Sequence, residues 1–285
     1  MTENCSKKVK KKLTGAGTSA KLFPHTVRHN TTQHKNMKKT LLIAVAALAA
    51  GIISSQAQAV YSQNIVGYVN QPIKGSGAFN LIVNPLQGTN TNPEQTMACL
   101  TQGDIIYIFG NGQYYLYNYY PGAGHYNWID AGSGNIPVDP LNNDGTVPPP
   151  SISPGQSFFY VTGVDVTNVW TGTVITSNTV PVVGGGVYNF VASSLPIGGS
   201  IELTNLNLPL TQGDILYIYK NNQYYLYNYY PGAGYYNWID AGSGNIPVDP
   251  LNNDGSVPPP QLTVGQGFIY TAGSTTNWTQ KLNIQ

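Results

Sequence analysis

The chain has 285 residues, of which only 9% are charged, whereas it contains 32 Gly, 20 Pro and 21 Tyr. Three of its 13 Lys and Arg residues lie after position 59, together with 11 of its 12 acidic residues, so this part of the chain has a formal charge of 3 minus 11, or −8. Nucleic acids and anionic membrane surfaces are therefore poor partners for it, because binding them depends on Lys and Arg that displace counterions.

Residues 1–36 form a basic arm, with eight Lys and Arg against the single acid Glu3. A run of this kind is typical of a nucleic-acid-binding tail. The alternative, which we favour, is that translation starts at Met37. Residues 1–36 would then be untranslated, or removed together with the segment that follows.

A secretion signal is predicted over residues 37–59. Lys38 and Lys39 precede an apolar run of 13 residues, and Ala57-Gln58-Ala59 matches a small-residue cleavage site. The run is shorter than the roughly 20 residues that span a bilayer. We therefore expect cleavage after Ala59 and a mature chain without an integral membrane segment. Its expected location is extracellular, on the cell surface or in the periplasm.

A block of fifty residues occurs twice, at 101–150 and 211–260, and 44 of its positions are identical. The six differences are Ile106/Leu216, Phe109/Tyr219, Gly110/Lys220, Gly112/Asn222, His125/Tyr235 and Thr146/Ser256. Recent copying and a shared task both explain such identity. Weaker matches flank each block, so we predict two domains of ordinary size, residues 60–176 and 177–285. The six differences are expected on turns or exposed faces.

Strands are predicted throughout both domains. Short runs rich in Ile, Tyr and Phe, such as 104–109 and 113–119, are separated by Gly, Pro and Asn. Asn111-Gly112 between those two runs is a strong hairpin signal. No segment after the signal has a sustained helical period. The predicted fold is all-β, with two tandem small β-sandwich or partly open β-barrel domains after an N-terminal signal peptide.

Several packing motifs resemble a family of secreted bacterial β-domain repeats that has no established activity. They are the opening Gly77 to Leu86, the central Tyr-rich strand pair, Pro154 to Phe159 and a closing Trp170-Thr171-Gly172. The resemblance covers nearly all of the mature chain and implies export and an all-β module. It supplies no catalytic residue. The second copy departs from the opening motif at 191–194, and 121–150 looks like an insertion.

The densest feature is the run from Gln113 to Tyr120 and its twin from Gln223 to Tyr230. Side chains alternate along a strand, so alternate tyrosines share one face. With the aromatic residues of the next strand, that face is a candidate ligand-binding surface, for glycan stacking or self-association. In an alternative interpretation, Tyr fills a core that has too little Leu and Val. The candidate residues are Tyr115, Tyr117, Tyr119, Tyr126 and Trp128, with Tyr225, Tyr227, Tyr229, Tyr236 and Trp238 in the second copy.

A second candidate site is the acidic loop that ends each block. Clustered Asp and Asn oxygens before a Gly are the ligand type that calcium prefers, and the ligands would be Asp139, Asn142 and Asp144, with Asp249, Asn252 and Asp254 in the copy. An EF-hand pattern is excluded, because Pro140 and Ser151 fall where its first Asp and its Glu belong. An Asp-Gly turn explains the same residues. No other cofactor is predicted.

Catalytic residues are scarce. The only histidine after position 59 is His125, whose counterpart is Tyr235, so a His-based site would exist in one copy alone. Paired carboxylates of a glycoside hydrolase would have to come from Asp104, Asp130, Asp139, Asp144 and their counterparts, or from Glu94 and Glu202. The two glutamates are not at equivalent positions in the sequence. A hydrolase is therefore the third and least favoured function.

The favoured function is a secreted, non-catalytic surface or matrix protein with a structural or adhesive role. The alternative is a glycan-binding module that uses exposed Tyr and Trp faces. For either function the expected partner is a polysaccharide or a second copy of the chain, and no nucleic-acid partner is expected.

Overall fold

The structure is a computed structural model that describes residues 65–86, 91–202, 206–252 and 254–282. The predicted basic arm, the signal peptide and its cleavage site at Ala59 lie outside these residues. Within the described ranges, no helix has the length and apolarity needed to cross a bilayer.

The first copy consists of seven strands and one turn of helix. They are β1 (Ile65–Ile73), β2 (Phe79–Ile82), α1 (Pro93–Thr96), β3 (Ile105–Gly110), β4 (Gln113–Tyr119), β5 (Trp128–Asp130), β6 (Phe158–Val161) and β7 (Val166–Val174). The helix corrects the expectation of strands alone. It begins at Pro93, whose fixed φ suits the first helical position, and Asn92 Oδ1 accepts the backbone N–H of Glu94 as an N-cap (3.0 Å).

The second copy repeats these strands and adds a short pair. They are β8 (Ser177–Val182), β9 (Asn189–Ala192), β10 (Gly199–Ser200), β11 (Ile215–Lys220), β12 (Gln223–Tyr229), β13 (Trp238–Asp240), β14 (Gln261–Leu262), β15 (Gly267–Thr271) and β16 (Thr276–Lys281). Strands β3 to β5 and β11 to β13 have the same bounds at an offset of 110. The predicted all-β class is therefore confirmed.

Each copy is built from one five-stranded antiparallel sheet and one two-stranded ribbon. The sheets have the orders β2-β6-β3-β4-β5 and β9-β15-β11-β12-β13, and the ribbons pair the first strand of each copy with its last, β1 with β7 and β8 with β16. The open sheet covered by a ribbon fits the sandwich alternative. The predicted hairpin is present, with Asn111 and Gly112 at φ values of 51° and 78° as a type I′ turn requires.

The core of each copy lies between the ribbon and the inner face of the sheet. Ile106 and Trp128 from the sheet pack with Ile73 and Trp170 from the ribbon. All four Trp residues of the chain are buried, and every indole N–H has a partner: Glu94 and Gln71 in the first copy, Glu202 and the Leu206 carbonyl in the second. A buried Trp usually has a hydrogen-bond partner for its indole N–H, because an unsatisfied buried donor would destabilise the fold.

The two copies contact each other through their outer faces in an approximately twofold arrangement. The backbone N–H of Val83 donates to the Gly265 carbonyl (3.0 Å), and the equivalent N–H of Ala192 donates to the Gly155 carbonyl (2.9 Å). Residues 64–285 form one compact unit, and only residues 175–176 separate β7 from β8. The domain boundary at 176/177 stays a prediction.

The expectation that all six differences lie on turns or exposed faces is wrong for half of them. Ile106 and Leu216 are both fully buried, as are Thr146 and Ser256. Phe109 and its counterpart Tyr219 are half-buried. The buried exchanges are tolerated because Ile and Leu have equal volume, and because Thr146 and Ser256 each keep the hydroxyl that donates to an Asp of the same loop (2.5 and 2.6 Å).

Candidate functional site

The predicted stacking face is the inner face of each sheet. Trp128 and Trp238 are 0% exposed, so neither indole offers a ring surface to a ligand. Each is held by a carboxylate, with distances of 2.5 Å from Trp128 Nε1 to Glu94 Oε1 and 2.9 Å from Trp238 Nε1 to Glu202 Oε1. Glu94 and Glu202 are therefore structurally equivalent, which corrects the interpretation drawn from their positions in the sequence.

The tyrosines of the same face belong to the cores. Tyr227 is buried, and the others are half-buried and pack against the two core clusters: Tyr115, Tyr117 and Tyr119 in the first copy, Tyr225 and Tyr229 in the second. Tyr115 and Tyr225 point their hydroxyls to the rim, where each accepts a side-chain amide hydrogen bond from Gln113 or Gln223. This face therefore fits the alternative interpretation, in which Tyr side chains fill the core.

Tyr126 and Tyr236 lie at the edge, outside both cores. Each ring stands edge-on to its predecessor, His125 or Tyr235, with ring centroids 4.5 and 4.7 Å apart. Tyr236 also donates its hydroxyl to Asp249 (3.3 Å). The predicted set of ten aromatic residues is thus divided between core and rim, and does not form one exposed platform.

The outer face of each sheet carries a different set of aromatic side chains. Tyr107 pairs with Leu116 across the strands, and Phe109 pairs with Tyr114. Because side chains alternate along a strand, these four residues lie on the face that Ile106 and Ile108, which are buried in the core, do not share. The second copy presents the same row, with Tyr217, Tyr219, Tyr224 and Leu226 at the matching positions. Next to each hairpin tip a ring contacts the other copy, Phe109 against Phe190 and Tyr219 against Phe159.

Two open grooves lie between these outer faces, at positions related by the approximate twofold arrangement. One has a volume of about 470 Å³ and is lined by Phe79, Tyr107, Tyr114, Leu116, Phe159, Tyr219 and Tyr224. The other has a volume of about 370 Å³ and is lined by Phe109, Tyr114, Tyr188, Phe190, Tyr217, Tyr224, Leu226 and Ile269. Tyr114 and Tyr224 line both, so the pair forms one aromatic surface, which we call the twin groove.

Ring packing between the copies holds the twin groove in shape. Phe109 of the first copy stacks on Phe190 of the second at 4.8 Å between centroids, with the planes 29° apart. At the equivalent contact Tyr219 meets Phe159 edge-on at 5.4 Å. Aromatic contacts of this kind are worth about 0.5–1.5 kcal/mol each beyond the area they bury.

The twin groove is uncharged over a wide range of pH. Burial, together with the nearby hydroxyls of Tyr114, Tyr219 and Tyr188, raises the pKa of Tyr224 to about 12. Burial and Tyr188 also raise the pKa of Tyr114 and of Tyr217 above the usual value. These phenols therefore remain neutral hydrogen-bond donors and acceptors at physiological pH.

An amide extends the outer row in each copy. Asn118 and Asn228 follow Leu116 and Leu226 on the same side of the strand, since side chains alternate. Their Oδ1 atoms are buried and have no hydrogen-bond partner among the described residues. The two copies thus share a buried amide at the end of each row, and neither amide lines a groove.

The acidic loops use their carboxylates to close turns. Asp139 accepts hydrogen bonds from the Leu141 N–H (2.9 Å) and from Asn142 Nδ2 (2.6 Å). Asp144 accepts hydrogen bonds from the Thr146 hydroxyl, the His125 N–H and the Thr146 N–H, which together lower its pKa to about 2.

The second copy repeats this arrangement at Asp249, Asn252 and Asp254. Over the residues that the structure covers, no group of three His, Cys, Asp or Glu side chains is placed to hold a metal ion. A calcium role for the two loops stays a prediction.

Carboxylates elsewhere are engaged in structural contacts. Asp104 and Asp214 are buried, and each accepts the hydroxyl of a core tyrosine, Tyr160 or Tyr270, at 2.6 Å. Burial raises the pKa of both tyrosines far above the usual value, and the Asp contacts add to the effect in each copy. These pairs tie β6 and β15 to the start of β3 and β11.

Comparison with known proteins gives no family: no family model, curated protein or solved structure matches the chain.

The residues of the twin groove were missed because the sequence does not show which sheet face remains accessible. The alternation along β4 did separate Tyr114 and Leu116 from the predicted face. Phe79 and Phe159 belong to other strands, Tyr188 directly precedes β9, and only the order of strands in the sheet brings these residues to the same surface.

Proposed function

We propose that this chain is a secreted, non-catalytic adhesion protein that binds a polysaccharide along the twin groove. The observation that carries the proposal is a pair of matching, open aromatic grooves that share Tyr114 and Tyr224. Export is predicted from the signal over residues 37–59 and would place such a surface where polysaccharides occur.

The chemistry of the twin groove suits sugar rings. A pyranose has an apolar face of C–H groups that stacks on aromatic rings, and hydroxyls at its edge that pair with phenol and amide groups. The groove volumes of about 470 and 370 Å³ lie in the range of roughly 300–1,000 Å³ that is typical of small-molecule sites. Each groove therefore has room for a short stretch of sugar.

Duplication gives an extended ligand two sites at a fixed separation. The second binding event is then intramolecular, and weak sites combine into useful avidity without new contacts. The copies are joined through residues 175–176 and pack on each other, so little freedom is lost on binding.

A glycan array with the mature chain, followed by calorimetry on the best oligosaccharide, tests the proposal. Tyr114→Ala with Tyr224→Ala should weaken binding by about tenfold, a loss of about 1.4 kcal/mol, because both rings that line the two grooves are removed. Tyr120→Ala with Tyr230→Ala is the matched control, because these rings are 44% and 45% exposed on the same runs but do not line the grooves. Equal affinities for both double variants would contradict the proposal, as would silence across the array.

Self-association is the second candidate, favoured by the outer side of the β1–β7 ribbon. Val66 and Tyr68 are neighbours on one face of β1 and are 61% and 73% exposed. Sedimentation velocity over a range of concentrations should then show dimers that Tyr68→Ser abolishes. A monomer at all concentrations would rule this candidate out.

A further inference from the structure

A third and larger groove, of about 1060 Å³, adjoins one end of the twin groove. It lies between the turn that follows β1 in the first copy and the β11–β12 hairpin of the second. Phe79 and Tyr219 line both this groove and the 470 Å³ groove. A chain that follows the aromatic surface would therefore pass directly into it.

This groove collects positive charge in an otherwise acidic molecule. Among the described residues there are three Lys and no Arg, and two of the three, Lys74 and Lys220, line it. Of the described residues that line it, only Asp165 is acidic, and its Oδ2 lies 3.5 Å from Lys74 Nζ. The ammonium of Lys220 lies over the ring of Tyr225, 4.1 Å from its centroid, and has no carboxylate partner among the residues described. The groove thus carries one net positive charge.

The matching place on the other side of the molecule has none of these charges. Lys220 corresponds to Gly110, one of the six differences between the blocks. Lys74 corresponds to Val183, because the backbone N–H of Lys74 donates to Asn80 and that of Val183 donates to Asn189, the matching Asn of the second copy. Asp165 corresponds to Thr275: the N–H of Gly75 donates to Asp165 Oδ1 (2.7 Å), and that of Gly184 donates to Thr275 Oγ1 (3.0 Å).

The backbone does not require this asymmetry. The side chains of Lys74 and Lys220 are exposed. The hydrogen bond that the Gly75 N–H makes next to Lys74 is also made by the Gly184 N–H, next to the uncharged Val183. Side-chain amides complete the lining, from Asn221 and Asn222 at the hairpin tip and Gln266 beside it. Ammonium groups among neutral amides are a setting that favours an anion with hydroxyls around it.

We infer that this groove binds the acidic group of an anionic polysaccharide, a carboxylate or sulfate on a sugar ring, which gives the twin groove a charged end and a neutral end. The inference rests on the proposed function, because it names the class of sugar and the direction in which the chain lies.

The test uses the full mature chain and two probes, an oligogalacturonate hexamer and its methyl ester, in which each carboxylate is replaced by a neutral ester. Binding is measured by calorimetry at low and high salt. The acid should bind more tightly than the ester at low salt, and the difference should shrink as salt rises. Lys74→Val with Lys220→Gly and Asp165→Thr, the residues of the other side, should remove most of that difference, which we expect to be roughly fivefold for one net charge. The affinity for the ester should not change.

The reverse exchange is the second arm. Gly110→Lys with Val183→Lys should raise affinity for the acid, because it charges the neutral end. The added Cβ at Gly110 would have its nearest neighbour, Tyr115 Cε2, at an ordinary 3.6 Å, and Val183 is 52% exposed, so both changes fit the fold.

The outcomes separate the inference from the proposed function. If the acid and the ester bind equally and neither lysine exchange matters, the anionic groove is refuted while polysaccharide binding stands. If neither probe binds, and the glycan array is silent as well, both fail.

Discussion

Both faces of each five-stranded sheet are rich in aromatic residues, yet the two faces have different roles. On the inner face, Trp128 and Tyr160 are buried, and carboxylates satisfy their polar atoms. On the outer face, Tyr114 packs against Phe190 of the other copy and against Tyr107, and both tyrosines line an open groove. Aromatic content alone therefore does not mark a binding surface. What separates the faces is burial: the inner rings are enclosed in the core, whereas the outer rings line open grooves.

The largest contrast between the faces is expected on removing a ring. Trp128→Ala should lower the free energy of unfolding by about 3–5 kcal/mol, the usual cost of deleting a buried aromatic side chain. Leu116→Ala, on the outer face, should cost about 1 kcal/mol, because that side chain is only half-buried. Urea denaturation of the two variants measures both values. Equal losses would mean that the inner face is not the core.

The next effect concerns the buried hydrogen bond. Tyr160→Phe removes a donor from Asp104, which is 1% exposed, and should cost about 1–3 kcal/mol. Tyr270→Phe should behave alike at Asp214. The matched control is Tyr114→Phe on the outer face, whose hydroxyl is not held by a carboxylate, and its stability should be close to wild type. A stable Tyr160→Phe protein would show that the Asp contact contributes nothing.

A smaller effect is expected where the copies themselves differ in the core. Ile106→Leu installs the residue that the second copy has at the same place, and Leu216→Ile makes the reverse exchange. Each should cost less than about 1.5 kcal/mol, since the volume is conserved and both sites are fully buried. Thermal melting of the single variants checks this. A loss as large as that of Trp128→Ala would mean that the two cores differ in shape.

The smallest effect is predicted at the exposed loops under acid. Hydrogen bonds from Thr146 and His125 lower the pKa of Asp144 to about 2, below the roughly 3.9 of an unfolded Asp. Because the folded pKa is the lower one, the stabilisation is present above about pH 4 and is lost as the pH falls toward 2. The melting temperature of Asp144→Asn should therefore fall less between pH 5 and 2 than that of wild type. Parallel curves would contradict the role given to these bonds.

The strands were predictable because local signals agreed with the fold. Runs of Ile and Tyr between Asn-Gly and Pro-Gly turns gave β3, β4 and their hairpin with nearly the observed bounds, as consistent local preferences do. The turn of helix at Pro93 was not foreseen, because four residues are too few for a helical period to appear.

The candidate site was much less predictable. Alternation along β4 sorts its side chains into two faces, but does not say which face the ribbon covers. That choice depends on the pairing of β1 with β7, about a hundred residues apart in the chain. The equivalence of Glu94 and Glu202 was also hidden, since the two lie on segments of different length and meet their tryptophans only in three dimensions.

Titration of the ¹³C-tyrosine-labelled mature chain with the best-binding oligosaccharide tests the division between the faces most directly. Ring resonances of Tyr114 and Tyr224, on the outer face, should shift in proportion to saturation, while those of the buried Tyr160 and Tyr270 should stay in place. Saturable binding that moves no outer-face ring, or that moves the inner rings first, would contradict the assignment of the twin groove as the binding surface.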